Sequence, residues 1–162
     1  MLKNKKFVNS IYMGLFFVLS VVFSMMIFRR SELSSQVNQL KEVLSNNINV
    51  IVLLSVIAGI GISVLFLVEY YIGKLLLYLF FKDVKPDFMP YVLPKILVLS
   101  VNLSLLSAFN IYNTIVFSIL AVIAGILAMT FHYTKSNKII ASLLFTSPLL
   151  LDSLLSLAKV LF

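Results

Sequence analysis

The chain has 162 residues, of which 61% are hydrophobic and only 12% charged, and its mean hydropathy is +1.09. A soluble domain is typically about half apolar and about a quarter charged, so this chain has too little polar surface to cover a water-facing globule. Soluble enzymes, nucleic-acid-binding domains and disordered tails are excluded on that ground, and an all-α, polytopic transmembrane helix bundle is expected. The 13 Lys and Arg against 6 Asp and Glu leave a formal charge of +7. In a membrane protein such an excess follows from the positive-inside bias and from attraction to anionic lipid. No basic platform interleaved with aromatics is present, so nucleic acid is not an expected partner. The absence of cysteine excludes disulfides, iron–sulfur clusters and thiolate nucleophiles.

The first apolar run, 7–28, lies between Lys3, Lys5, Lys6 and Arg29–Arg30. It spans about 33 Å at 1.5 Å per residue and lacks a small-x-small cleavage site, so it reads as a retained membrane helix rather than a signal peptide. Between Arg29 and Asn49 the composition turns polar. Leu33, Val37, Leu40 and Leu44 recur on one helical face, with Ser31 as N-cap, which predicts an outer amphipathic segment over 31–45. A docking helix for an extracellular partner is the alternative use.

The second block, Val50 to Phe81, is too long for one simple crossing. Either it tilts and protrudes, or the span ends near Glu69–Tyr70–Tyr71 and an interfacial segment follows. Charged and tyrosine side chains belong at headgroups, which favours a span over 50–72. Ser55, Ala58, Gly59 and Ser63 form a small-residue stripe through it, suited to close helix packing. In the loop 82–95, Pro86, Pro90 and Pro94 recur every four residues and argue against a continuous helix. Phe88, Met89 and Tyr91 are expected to stay exposed or interfacial there, as the best candidate contact surface for a partner. Further spans are predicted over 92–109, 114–131 and 139–162. In the fourth, Ser118, Ala121, Gly125 and Ala128 make a second packing seam. With the N-terminus inside, inner segments hold nine of the 13 Lys and Arg and outer segments four, which predicts N-inside and C-outside. No internal repeat supports an inverted-repeat transporter.

Catalytic sets are hard to assemble. One histidine, His132, and no cysteine leave no metal site beyond scattered carboxylates, and His132 is expected at the interface. A Ser–Lys dyad is conceivable, but hydroxyls in membrane helices usually bond to the preceding turn. Gly59-Ile-Gly61 lies in an apolar span and lacks a phosphate-loop lysine. Asp152, within Ser-Pro-Leu-Leu-Leu-Asp-Ser, is an intramembrane carboxylate and hence a candidate site residue. It has three readings: a proton or cation path, a structural carboxylate hydrogen-bonded to Asn102, Ser104 or Asn113 beyond a kink at Pro148, or a solvated group at the outer interface. Asn102 and Asn113 are the polar partners of choice. Glu69 reads as a boundary residue.

The stretch from Val68 to Leu157 resembles the Yip family of small five-span membrane proteins. The resemblance lies in Tyr78-Leu-Phe-Phe81 at the end of a long second helix, in Asp87–Phe88 within a short polar insertion, and in Tyr91-Val-Leu-Pro94 entering the third helix. A brief turn, a fourth helix with small residues and a basic loop before the last helix complete it. The resemblance implies a five-span integral protein, of a kind that binds Rab-type GTPases in eukaryotes and that often accompanies ABC-type exporters in bacteria. The expectation is therefore a non-enzymatic accessory or scaffold protein without a cofactor. Its setting would be the bacterial cytoplasmic membrane, and its partners lipid and other membrane proteins, including subunits of an ABC-type export or immunity complex. A small transporter or channel component with a polar intramembrane site is the alternative.

Overall fold

In the computed structural model the described residues are 2–30 and 50–162, and they form five helices: α1 (Leu2–Arg30), α2 (Val50–Phe80), α3 (Met89–Ser107), α4 (Thr114–Ser136) and α5 (Ile139–Leu161). All five are long and apolar enough to cross a membrane. The amphipathic segment expected over 31–45 lies outside the described residues. The helices pack as a closed ring in the order α1, α2, α5, α4, α3 and back to α1. Outward faces are apolar, as with Phe7, Ile11, Leu15, Val18 and Val22 on α1 or Ile57, Ile60, Val64 and Val68 on α2. Such faces suit lipid and not water.

Several helices overrun the spans read from the sequence, α1 starting at Leu2 and α4 ending at Ser136, and two of the differences bear on the site. The helix that holds the second span does not stop at residue 72 but continues to Phe80, 31 residues in all and about 46 Å long, so it must tilt or protrude. Glu69, read as a boundary residue, faces Lys95 of α3 at 3.8 Å within the bundle. The third helix begins at Met89, not 92, and runs through Pro94. Pro90 falls in the first turn, where its missing N–H leaves no bond unmade. Pro148 likewise leaves α5 continuous, and the Leu144 carbonyl that it would strand accepts the Ser147 hydroxyl at 2.9 Å.

Turns are set by asparagine. Asn113 caps α4, its Oδ1 accepting from Ile115 N at 2.9 Å and Val116 N at 3.3 Å. Asn137 ends the same helix at φ 53°, a left-handed conformation that asparagine tolerates. Small residues let the helices close up. A Cβ on Gly59 would strike Val21 of α1, one on Gly73 would strike the Phe145 carbonyl of α5, and one on Gly125 would come within 2.6 Å of Leu150 Cδ2. Buried hydroxyls mostly bond to their own helix, Ser20 to the Phe16 carbonyl (2.8 Å) and Ser153 to that of Leu149 (2.7 Å).

Aromatic rings form the plug of the ring. Phe16 of α1 lies against Phe66 of α2 at 4.7 Å between centroids, and Tyr91 of α3 lies 5.6 Å from Phe66 and 5.3 Å from Phe145 of α5. Tyr70 touches Phe88, Tyr91 and Phe145, and His132 of α4 stacks on Phe145 at 4.6 Å. Every helix therefore contributes a ring, and Tyr91, Phe145, Leu77 and Leu149 are wholly buried.

Candidate functional site

Polar side chains gather in two places. The first is at the end of the bundle that carries the N-terminus, the loop between α2 and α3, and the turn between α4 and α5. A cavity of about 420 Å³ there is lined by Lys5, Asp83, Lys85, Asp87, His132, Lys135, Ser136 and Lys138, among others. Its acids are matched: Asp87 pairs with Lys135 at 2.7 Å and with Lys5 at 3.6 Å, and Asp83 pairs with Lys138. Burial pushes the Asp87 carboxyl up, but the bond and charge of Lys135, with Lys5 behind it, outweigh burial and hold it below the usual carboxylate range. Asp83 is held low chiefly by its bond to Lys138.

His132 sits beneath this rim, four residues from the end of α4, and is buried among the helices. Its Nδ1 is 2.9 Å from Ser142 Oγ, which also lies 3.0 Å from Ser136 Oγ and 3.0 Å from the Lys138 carbonyl. A serine beside a histidine suggests a nucleophile. Ser142, however, is 0% exposed and its hydroxyl is shared among three neighbours, so no substrate reaches it. The cluster is a latch between α4 and α5. Sequence spacing did not single it out, because residues ten apart meet only once a turn has folded α5 back on α4.

The second place is within the membrane-spanning part. A cavity of about 230 Å³ draws lining residues from all five helices: Phe16 and Phe23 of α1, Leu65, Phe66 and Glu69 of α2, Lys95, Val98, Leu99 and Asn102 of α3, Ala121 of α4 and Asp152 of α5. Asp152 lies thirteen residues beyond Ile139 and Glu69 eleven before Phe80, or about 20 Å and 17 Å along their helices. Both are far from either helix end. The Glu69 and Asp152 carboxyls are neighbours, and the ion pair of Glu69 with Lys95 is largely enclosed, the two side chains being 14% and 20% exposed. Asp152 lies at the exposed edge. Asn102 is 6% exposed, and its Oδ1, like Glu69 Oε2, is buried without a hydrogen-bond partner.

The structure thus brings Asp152 and Asn102 together and adds Glu69 and Lys95. Asn113 is elsewhere, capping α4, and Ser104 bonds to the Ser100 carbonyl of its own helix. The expected contact surface is corrected. Tyr91 is wholly buried, Phe88 packs edge-on against Phe66 and Tyr70, and Met89 is half-buried. The aromatic plug claims these rings because they follow the loop directly into the centre of the bundle. Of the small-residue positions, Ser55, Gly59 and Ser63 are buried on α2 with Gly59 against Val21, Gly125 and Ala128 are buried on α4, and Ala121 lines the cavity. The Glu69–Lys95 pair was legible only as two boundary charges, since 26 positions of chain separate them. No protein-family model, curated protein or solved structure matches the chain.

Proposed function

We propose that this multi-pass membrane protein is a non-enzymatic binding component that offers a small, largely apolar cavity carrying a few polar groups and works beside a partner that supplies energy. The observation that carries the reading is the placement of Glu69, Lys95, Asp152 and Asn102 around one cavity lined by all five helices. Ionisable groups within membrane helices are costly and are most often kept for binding or conduction. The sequence has no glycine-rich phosphate loop, so energising falls to another chain, in keeping with the accessory role beside an exporter that the Yip-like resemblance implies. Placing the N-terminus on the cytoplasmic side of a bacterial inner membrane is part of the proposal. It is supported by the gathering of Lys5, Lys85, Lys135 and Lys138 at one end.

Because the chain has no cysteine, single-cysteine variants test this cleanly. Leu99→Cys, in the cavity, should react with a small water-soluble thiol reagent in isolated membranes, whereas the outward-facing Leu97→Cys should not. In intact cells an impermeant reagent should label Tyr112→Cys and spare Asn137→Cys. An unreactive Leu99→Cys would mean a dry, closed cavity and would end the binding reading. Labelling at 137 would reverse the orientation.

A further inference from the structure

The cavity between the five helices can be read for the chemistry of what it holds, and this step rests on the binding role proposed above. Three side chains that carry acceptor groups line it: Glu69, Asp152 and Asn102. Lys95 is the one cation in the cavity lining, and its ammonium stands 3.8 Å from Glu69 Oε2, beyond ordinary hydrogen-bond reach. Glu69 Oε2 and Asn102 Oδ1 are consequently buried and unpartnered. An unpartnered buried acceptor is costly, by about 1–3 kcal/mol, and a group that is retained at such cost calls for an occupant that satisfies it. Two carboxyls against one ammonium also leave the cavity one positive charge short of neutrality.

The remaining walls narrow the class. Phe16, Phe23, Ile62, Leu65, Phe66, Val98 and Leu99 are apolar, and three of them present aromatic rings, which favour cations. A metal ion of the hard type takes about six to eight oxygen ligands, and the cavity offers three acceptor groups. An alkylammonium carries three N–H donors, one for each acceptor, and an apolar tail for the walls. At about 230 Å³ the cavity is smaller than the ~300–1,000 Å³ typical of drug-sized ligands, so the tail must be short. From the two unpartnered acceptors on Glu69 and Asn102, the Asp152 carboxyl beside them, the missing positive charge and the apolar walls, we propose that the cavity binds a small primary ammonium with a short hydrocarbon chain.

The probe is n-hexylammonium, compared with hexanoate and hexanol, on the full-length protein in membranes. The readouts are the labelling rate of Leu99→Cys and, as a second reporter, Ile62→Cys. Millimolar hexylammonium should slow labelling at least tenfold, and hexanoate and hexanol should not. Adding Glu69→Gln or Asp152→Asn should remove that protection while labelling without amine stays as fast as before. Equal protection by hexanol would show that the walls alone do the binding, and absent protection would show that a proton supplies the missing charge. Either result overturns the ammonium assignment and leaves the accessible cavity standing. Failure of both reporters to label at all removes the binding role and the assignment together.

Discussion

The two polar regions of this bundle solve the same problem in opposite ways. At the N-terminal rim every acid has its own lysine, Asp83 with Lys138 and Asp87 with Lys135 and Lys5, and His132 is locked to Ser142 over a plug of aromatic rings. In the spanning region two neighbouring carboxyls line a cavity with one lysine, which pairs with Glu69, and Asn102 Oδ1 is buried without a partner. Matched charges on a packed base tie elements together; unmatched charges at a cavity are kept for something that arrives. A rigid plug directly beside an incomplete polar set is the arrangement that holds a binding geometry in place.

The firmness of the plug is the first half of that contrast, and Gly73 tests it most severely. A Cβ there would meet the Phe145 backbone carbonyl, which no rotamer change relieves, whereas a Cβ on Gly61 meets nothing within 4 Å. Gly73→Ala should cost about 2–3 kcal/mol through overpacking, read as a fall of roughly 5–10 °C in thermal unfolding in mild detergent. Gly61→Ala should be neutral or slightly stabilising, by up to about 1 kcal/mol, from helix propensity. Equal behaviour of the two variants would mean that α2 and α5 are not held tightly where the contrast requires it.

The second half concerns the cavity, and there the expected effect is intermediate. Lys95→Met leaves Glu69 and Asp152 side by side without a cation and should destabilise by about 1–3 kcal/mol, less than for a fully buried pair because both side chains retain some exposure. The triple variant Glu69→Gln, Lys95→Met, Asp152→Asn removes the whole charged set. It should match or exceed the wild type in thermal stability, since a buried ionic group is often worth less than its neutral replacement. A triple variant as weak as Lys95→Met alone would make the cluster a structural staple and remove the distinction between the two regions.

How much of this was legible beforehand follows from what the residues depend on. The five helices come from runs of apolar residues and need no tertiary information, and four of their boundaries lie near Asn or Pro residues whose local chemistry is readable. Asp152 stood out because a carboxylate among leucines is costly wherever the helix turns. Glu69 and Lys95 did not, because each alone looks like a headgroup residue and only the pairing of α2 with α3 makes them intramembrane partners. Tyr91 and Phe88 were misplaced for the converse reason. Amphipathic rings beside prolines fit an interface equally well, and the choice of the core is made by Phe66, Tyr70 and Phe145 from two other helices.

The smallest effect is expected at the rim itself, and its pH dependence separates a tie from a site. Asp87 is held below its ordinary value by Lys135 and Lys5 against the opposing pull of burial. A carboxylate lowered by folding contributes its stability fully above the unfolded value, about pH 4, and loses it as pH falls through the folded value. The difference in unfolding temperature between the wild type and Asp87→Asn should therefore be constant from pH 8 to 5 and close to zero well below pH 4. Taking the difference cancels much of the titration that the two proteins share. Because the Lys135 side chain is 56% exposed, solvent screens the pair. The constant part should stay at or below about 1 kcal/mol and shrink in high salt. A difference larger than that of Lys95→Met, or one that grows as the pH is lowered, would mean that the rim and not the cavity carries the unusual electrostatics of this protein.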